Sequence, residues 1–157
     1  MAAWIWIFII LAGGLFALKI AYVLGIVLVL PFTQGSLYVS TSRTKVAAFI
    51  NAVPMKASQT LVDLGCGDGR VLREAQKRYG VHTIGYEINP LAYLKARLFS
   101  FGSNKIIIRR ENFWGADLSA ADVVFCYLYP DVMRRLSCKL KTDLKPGTVI
   151  VSCNFGL

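Results

Sequence analysis

Thr60 to Glu87 reads TLVDLGCGDGRVLREAQKRYGVHTIGYE, and the fold follows from how these residues alternate. Thr60 to Leu64 is a short, mostly apolar run closed by a glycine-rich segment, the pattern of a buried strand leaving a sheet at its carboxyl end. Gly65, Gly67 and Gly69 alternate with Cys66 and Asp68, so side chains are missing where the backbone must turn tightly or let a ligand approach. Val71 to Tyr79 reads as a helix stopped by Gly80. Val81 to Tyr86 reads as a second strand, and Glu87 follows it. A nicotinamide or flavin fingerprint, G-x-G-x-x-G, needs a third glycine to pack the helix close to the strand. That position is Arg70, so the pattern is D-x-G-x-G-x-G instead.

Outward from this unit, strands and helices alternate. Thr41 or Ser42 caps a helix running to about Val53, with Pro54 after it. Its stripe Val46, Phe49, Ile50 and Val53 is expected to pack on the sheet edge. Asn89-Pro90 is an N-cap followed by proline at the first helical position, starting a helix that ends near Phe101 and Gly102. Lys105 to Arg109 is a third strand. Asp122 to Leu128 is a fourth, apolar inside and therefore central and buried on both faces. Asp131 to Leu144 is a helix and Thr148 to Cys153 a fifth strand. The expected fold is α/β, a doubly wound and mainly parallel sheet.

The amino-terminal end is different in kind. Ala2 to Leu18 is uncharged and mostly apolar, and Ile20 to Phe32 continues it past Lys19. One tilted membrane helix needs about 20 apolar residues, with Trp4 and Trp6 at one interface and Pro31 at its end. There is no basic stretch ahead of the apolar run and no clear cleavage site after it, so it does not read as a signal peptide. Residues 1–33 are thus expected to be an anchor, 34–58 a connector with a leading helix, and 59–157 the main domain. Arg43, Lys45 and Lys56 follow the anchor, which places the domain on the cytoplasmic or equivalent side of a single-pass protein. Gly13, Ala17, Ala21 and Gly25 put small residues on one face, a possible contact for a homo-oligomer.

Of the 157 residues 55% are hydrophobic, and the mean hydropathy is +0.52. Beyond Lys19 there are 17 basic and 9 acidic residues, a net +8. Such a balance favours an anionic partner, a lipid surface before nucleic acid. His82 is the only histidine, so a histidine-based triad or a multi-histidine zinc site is excluded by count. Cys66, Cys126, Cys138 and Cys153 have no C-x-x-C spacing and read as reduced apolar residues; no metal site is suggested.

The motif around Asp63 resembles motif I of the class I S-adenosylmethionine (SAM) methyltransferases. The resemblance implies that Asp63, Gly65, Cys66, Gly67 and Gly69 border the methionine end of SAM and that Glu87 accepts hydrogen bonds from the ribose hydroxyls. A carboxylate can take two donors at once. Without the resemblance, the same unit could be a plain βαβ connection with Asp63 and Glu87 as solvated strand ends. Three further stretches, LYVSTSRTKVAAFI (Leu37 to Ile50), YEINPLAYLKARL (Tyr86 to Leu98) and VVFCYLYPDVMRRL (Val123 to Leu136), are similar to the small membrane-anchored protein-lysine methyltransferases. That family includes the enzymes acting on the ATP synthase c-subunit and the adenine nucleotide translocase, and has prokaryotic relatives.

The family sheet normally has seven strands, whereas this sequence stops just after the fifth, so the expected sheet is either truncated or has in its fifth strand an edge that something else covers. In the segment before the domain, Leu37, Ser40 and Ser42 stand where the family favours prolines. The resemblance implies transfer of the SAM methyl to a lysine amine of a membrane-associated protein. Asn112 and Phe113 fall where the family contacts adenine, and Trp114 is placed to cover it; core packing is the alternative for both rings. Tyr127, Tyr129 and Pro130 are candidates for the acceptor site, or simply cap the sheet. Nucleic acid is a weaker candidate acceptor, since the fourth strand ends in Tyr127-Leu128-Tyr129-Pro130 rather than an [DNS]-P-P-[YFW] run. A small-molecule or lipid acceptor, or SAM binding without activity, are the other readings.

Overall fold

The structure, a computed structural model, describes residues 2–29, 41–153 and 156. The chain divides into two units, Met1–Leu37 and Tyr38–Leu157. In the first, α1 (Ala2–Val29) is a continuous helix. Its segment Trp4–Gly25, 22 residues with a mean hydropathy of 2.4, is long and apolar enough to cross a membrane. Pro31, the apolar patch Leu37-Tyr38-Val39 and Ser40 lie outside the described residues.

The second unit is built on five strands: β1 (Thr60–Leu64), β2 (His82–Tyr86), β3 (Ile106–Arg109), β4 (Val123–Cys126) and β5 (Val149–Ser152). All four pairings are parallel, in the order β3-β2-β1-β4-β5. Parallel strands need crossovers, and the helices supply most of them. α3 (Arg70–Tyr79) links β1 to β2, α4 (Pro90–Phe99) links β2 to β3, and α5 (Pro130–Asp143) links β4 to β5. Between β3 and β4 the connection carries only a 3-10 turn, Phe113–Gly115. The strands and helices of this unit begin within one residue of the expected starts, β1 and α4 on them, and Asn89 caps α4 as expected, accepting from the N–H groups of Leu91 and Ala92.

Side-chain alternation along the central strands separates two cores. Leu61, Val123 and Phe125 point to the face covered by α2 (Arg43–Ala52), α3 and α4, where they meet Phe49, Leu72 and Ala96. Val62, Leu64, Val124 and Cys126 point to the face covered by α5, through Met133, Leu136 and Leu140. β4 is buried at all four positions, as its apolar sequence implies.

α2 corrects one expectation. Its stripe Val46, Phe49 and Ile50 is fully buried, and the Phe49 ring lies 4.7 Å from that of Phe125 on β4. The helix therefore packs on β4, an interior strand next to β5, instead of on the edge strand alone. Ser42 is its cap, accepting from Lys45 N–H at 3.3 Å. The Tyr79 hydroxyl donates to the Ile50 carbonyl at 2.6 Å, tying α2 to α3.

Gly85, in the middle of β2, is crowded by the side chains of Leu72 and Cys66. A Cβ there would lie 2.5 Å from Leu72 Cδ1 and 2.6 Å from Cys66 Sγ. No real packing tolerates such distances, so the turn after β1 settles against β2 only because this side chain is absent. Gly85→Ala is expected to cost about 1–3 kcal/mol in unfolding free energy by overpacking and to push Cys66 out of place. Urea unfolding measures the first, and reaction of the Cys66 thiol with an alkylating reagent the second.

Candidate functional site

Because every strand is parallel, the residues following β1, β2, β3 and β4 emerge at one edge of the sheet, the usual ligand side of such folds. The turn after β1 is pinned there. Gly65, Gly67 and Gly69 all have positive φ, 82°, 57° and 73°, which glycine adopts without strain. The N–H groups of Gly65 and Cys66 both donate to the Tyr86 carbonyl at 2.9 Å, and Gly69 N–H donates to Cys66 O at 2.8 Å.

Glu87 completes the clamp. Its Oε2 accepts from Gly67 N–H and its Oε1 from Asn89 N–H, both at 2.8 Å. The carboxylate thus joins the glycine turn to the cap of α4, and its residue is 7% exposed. Burial raises the Glu87 pKa, and the backbone N–H groups of Asn89 and Gly67 offset only part of that rise.

Asp63 is more enclosed still, at 3% exposed. Its carboxyl is held well above the usual range, first by burial and then by the charges of Glu87 and Asp68. Neither acid is a solvated strand end. Burying a carboxyl is costly unless a partner compensates, so two of them beside one turn mark a place where a cationic or donor-rich ligand fits. Cys66 is buried next to them and its thiol is pushed up by burial and then by Asp63, which leaves it a neutral, apolar wall.

A shallow cleft opens against this turn. Asp63, Gly65, Cys66, Gly67 and Tyr127 line it, together with Thr41, Asp68, Arg70, Val71 and Phe125. Five of the candidate residues therefore share one cavity, and Glu87 is joined to it through Gly67. Asn112, Phe113, Tyr129 and Pro130 do not line it. Asn112 caps the 3-10 turn, accepting from Trp114 N–H at 3.1 Å. Phe113 and Trp114 pack on the core under α5, with the Arg135 guanidinium 4.4 Å from the Trp114 ring. Tyr129 is the N-cap residue of α5 and Pro130 its first residue.

Sequence reasoning missed Arg70, Asp68 and Lys45 as contributors. Arg70 grips Asp68 through Nε at 2.9 Å and Nη2 at 2.8 Å, while its Nη1 donates to Thr41 O at 2.7 Å. Burial alone would raise the Asp68 carboxyl, but the Arg70 side chain brings it below the ordinary value. The signal available was Arg70 itself, at the position where a dinucleotide fingerprint has glycine. Lys45 on α2 is the third: its Nζ lies 3.2 Å from the Tyr127 hydroxyl, to which it donates, and 4.5 Å from the ring centroid. Nothing local in the sequence pairs residues 82 positions apart.

Residues 63–157 match the family model of the ANTKMT methyltransferase domain. A protein-lysine N-methyltransferase from Saccharolobus islandicus is 34% identical over 123 residues, which cover 75% of this chain and 76% of the relative. The adenine nucleotide translocase lysine N-methyltransferase of Mus musculus is 34% identical over 62% of this chain and 44% of its own length. For the ATP synthase c-subunit lysine N-methyltransferase of Xenopus laevis the figures are 31%, 75% and 53%. The chain thus spans three quarters of the archaeal relative and about half of the animal ones. Among solved structures, an RNA methyltransferase from Salinibacter ruber in complex with S-adenosyl-L-homocysteine superposes with a TM-score of 0.70 at 33% identity, covering 73% of this chain and 76% of that one.

Proposed function

Since the chain belongs to the ANTKMT methyltransferase domain family, whose cofactor is S-adenosyl-L-methionine, we propose that it methylates a lysine side chain of a protein. The observation that carries this reading is the Lys45 ammonium over the Tyr127 ring, 4.5 Å from its centroid, at a wall of the cleft that Asp63 and the glycine turn also line. A tyrosine face that holds one lysine head by cation–π attraction suits another. The relatives named as protein-lysine methyltransferases point the same way.

The residues fit the cofactor. Asp63, buried and raised in pKa, would accept from the cationic amino group of SAM, with Gly65, Cys66, Gly67 and Gly69 alongside. Glu87 keeps lone pairs for the ribose hydroxyls while its backbone bonds hold it still. Asn112 and Phe113 would reach the adenine from the β3 end. When bound, SAM supplies a methyl group on a sulfonium, already a good leaving group. The protein's part is then mainly alignment. Tyr127 orients the incoming amine, Tyr129 and Pro130 shape the rim, and desolvation there lowers the amine's pKa so that its proton leaves to solvent before transfer. α1 serves as a single-pass anchor that keeps the domain on the cytoplasmic or equivalent side, near membrane-associated substrates.

The test supplies the purified full chain with SAM labelled in its methyl group and, separately, a membrane protein fraction and total RNA. Label on lysine, identified by peptide mass spectrometry, is the expected result. Tyr127→Ala should reduce transfer about 10- to 30-fold, from about 2 kcal/mol of desolvated cation–π attraction, with SAM affinity retained. The net positive charge and the relative named as an RNA methyltransferase favour RNA as second reading. Label confined to RNA would replace the lysine assignment.

A further inference from the structure

We propose that the outer face of α4 docks on an anionic lipid bilayer, a membrane contact separate from α1 and not dependent on the anchoring role given to it. α4 is inverted relative to an ordinary surface helix. It buries only the small residues Ala92 and Ala96 against the sheet, whereas Leu91, Leu94 and Leu98 are exposed, the last two by 60% and 71%. These three recur at i, i+3 and i+7 and so form one ridge. Phe101, just beyond the helix, is 91% exposed.

The charges decide what covers this ridge. Lys95 and Arg97 are exposed and at helical spacing lie on its two flanks. Between Pro90 and Arg110 there are five basic residues and no acidic one. A second copy of the same face would bring like charges together, which disfavours a symmetric dimer. An anionic bilayer takes both features at once. Leucine and phenylalanine enter the boundary between headgroups and acyl chains, and lysine and arginine remain with the phosphates.

The experiment uses the full chain reconstituted in phosphatidylcholine vesicles, with or without phosphatidylglycerol. A nitroxide is placed on Leu98→Cys in a Cys138→Ser background, since Cys138 is the exposed native thiol. With phosphatidylglycerol the label should become more accessible to oxygen and less to an aqueous nickel reagent, and added salt should reverse this. Lys95→Gln and Arg97→Gln should each lower the ratio of docked to undocked helix about fivefold, from about 1 kcal/mol per basic residue at such a surface. Affinity for S-adenosyl-L-homocysteine should stay unchanged, showing that the variants fold. A label that remains aqueous on anionic vesicles overturns the proposal. So does spin–spin broadening without lipid dependence, which would mean a second copy on the ridge. Flotation with neutral vesicles reports on α1 alone, so failure of the anchor and failure of this contact are distinguishable.

Discussion

Glu87→Ala should lose SAM affinity by about 100-fold or more, the largest effect expected of any single substitution here. One carboxylate holds two backbone N–H groups, at Gly67 and Asn89, and is proposed to take the ribose as well. Hydrogen bonds to a charged group contribute about 1.5–3 kcal/mol each, so losing the ribose contact alone is worth about one to two powers of ten. Freeing Gly67 N–H also removes the clamp that keeps the turn in its binding geometry. Glu87→Gln retains one acceptor oxygen and should fall between. Isothermal titration with SAM, with a thermal melt to show folding, measures both. A folded Glu87→Ala protein with wild-type affinity would remove Glu87 from the site.

Asp63→Asn should separate stability from binding. Burial raises the carboxyl pKa in the folded state, so the folded chain keeps a proton that the unfolded chain loses. This contribution to stability is complete below the unfolded carboxylate value and declines as pH rises towards the folded one. Glu87, also raised, adds to the decline, whereas Asp68, lowered, acts oppositely and weakens the fold only towards acid. At neutral pH, without ligand, Asp63→Asn should therefore melt higher than the natural protein and lose less stability between acid and neutral pH. SAM affinity should fall about 10- to 100-fold, as expected for one hydrogen bond between charged groups. In the natural protein that affinity should rise with pH through the same window, because the ionised carboxylate is the better partner for a cationic amine. An unaltered affinity in the asparagine variant would refute the assignment.

The sheet was legible because parallel α/β folds declare themselves locally: buried strands are apolar throughout, and glycine, proline and asparagine mark their helices. The order of turn, helix, strand and acid likewise picked out Asp63, the three glycines and Glu87. What was not legible depends on distance in the chain. The seat of α2 over Phe125 comes from which strand is central, and the contact of Lys45 with Tyr127 joins two elements that only the completed sheet brings together. Gly85 was readable in principle, since a glycine inside a buried strand signals a close neighbour, but the neighbour, Cys66, was not. Around Asn112, the cap to Trp114 N–H and the seat of Phe113 under α5 likewise depend on the completed fold.

The grip of Arg70 on both Asp68 and Thr41 O has a mechanical consequence. Thr41 belongs to the segment by which the chain enters α2, and Asp68 sits inside the glycine turn. A shift of the backbone at Thr41 is therefore felt in the glycine turn directly, through the one guanidinium that holds both, without first passing through the sheet.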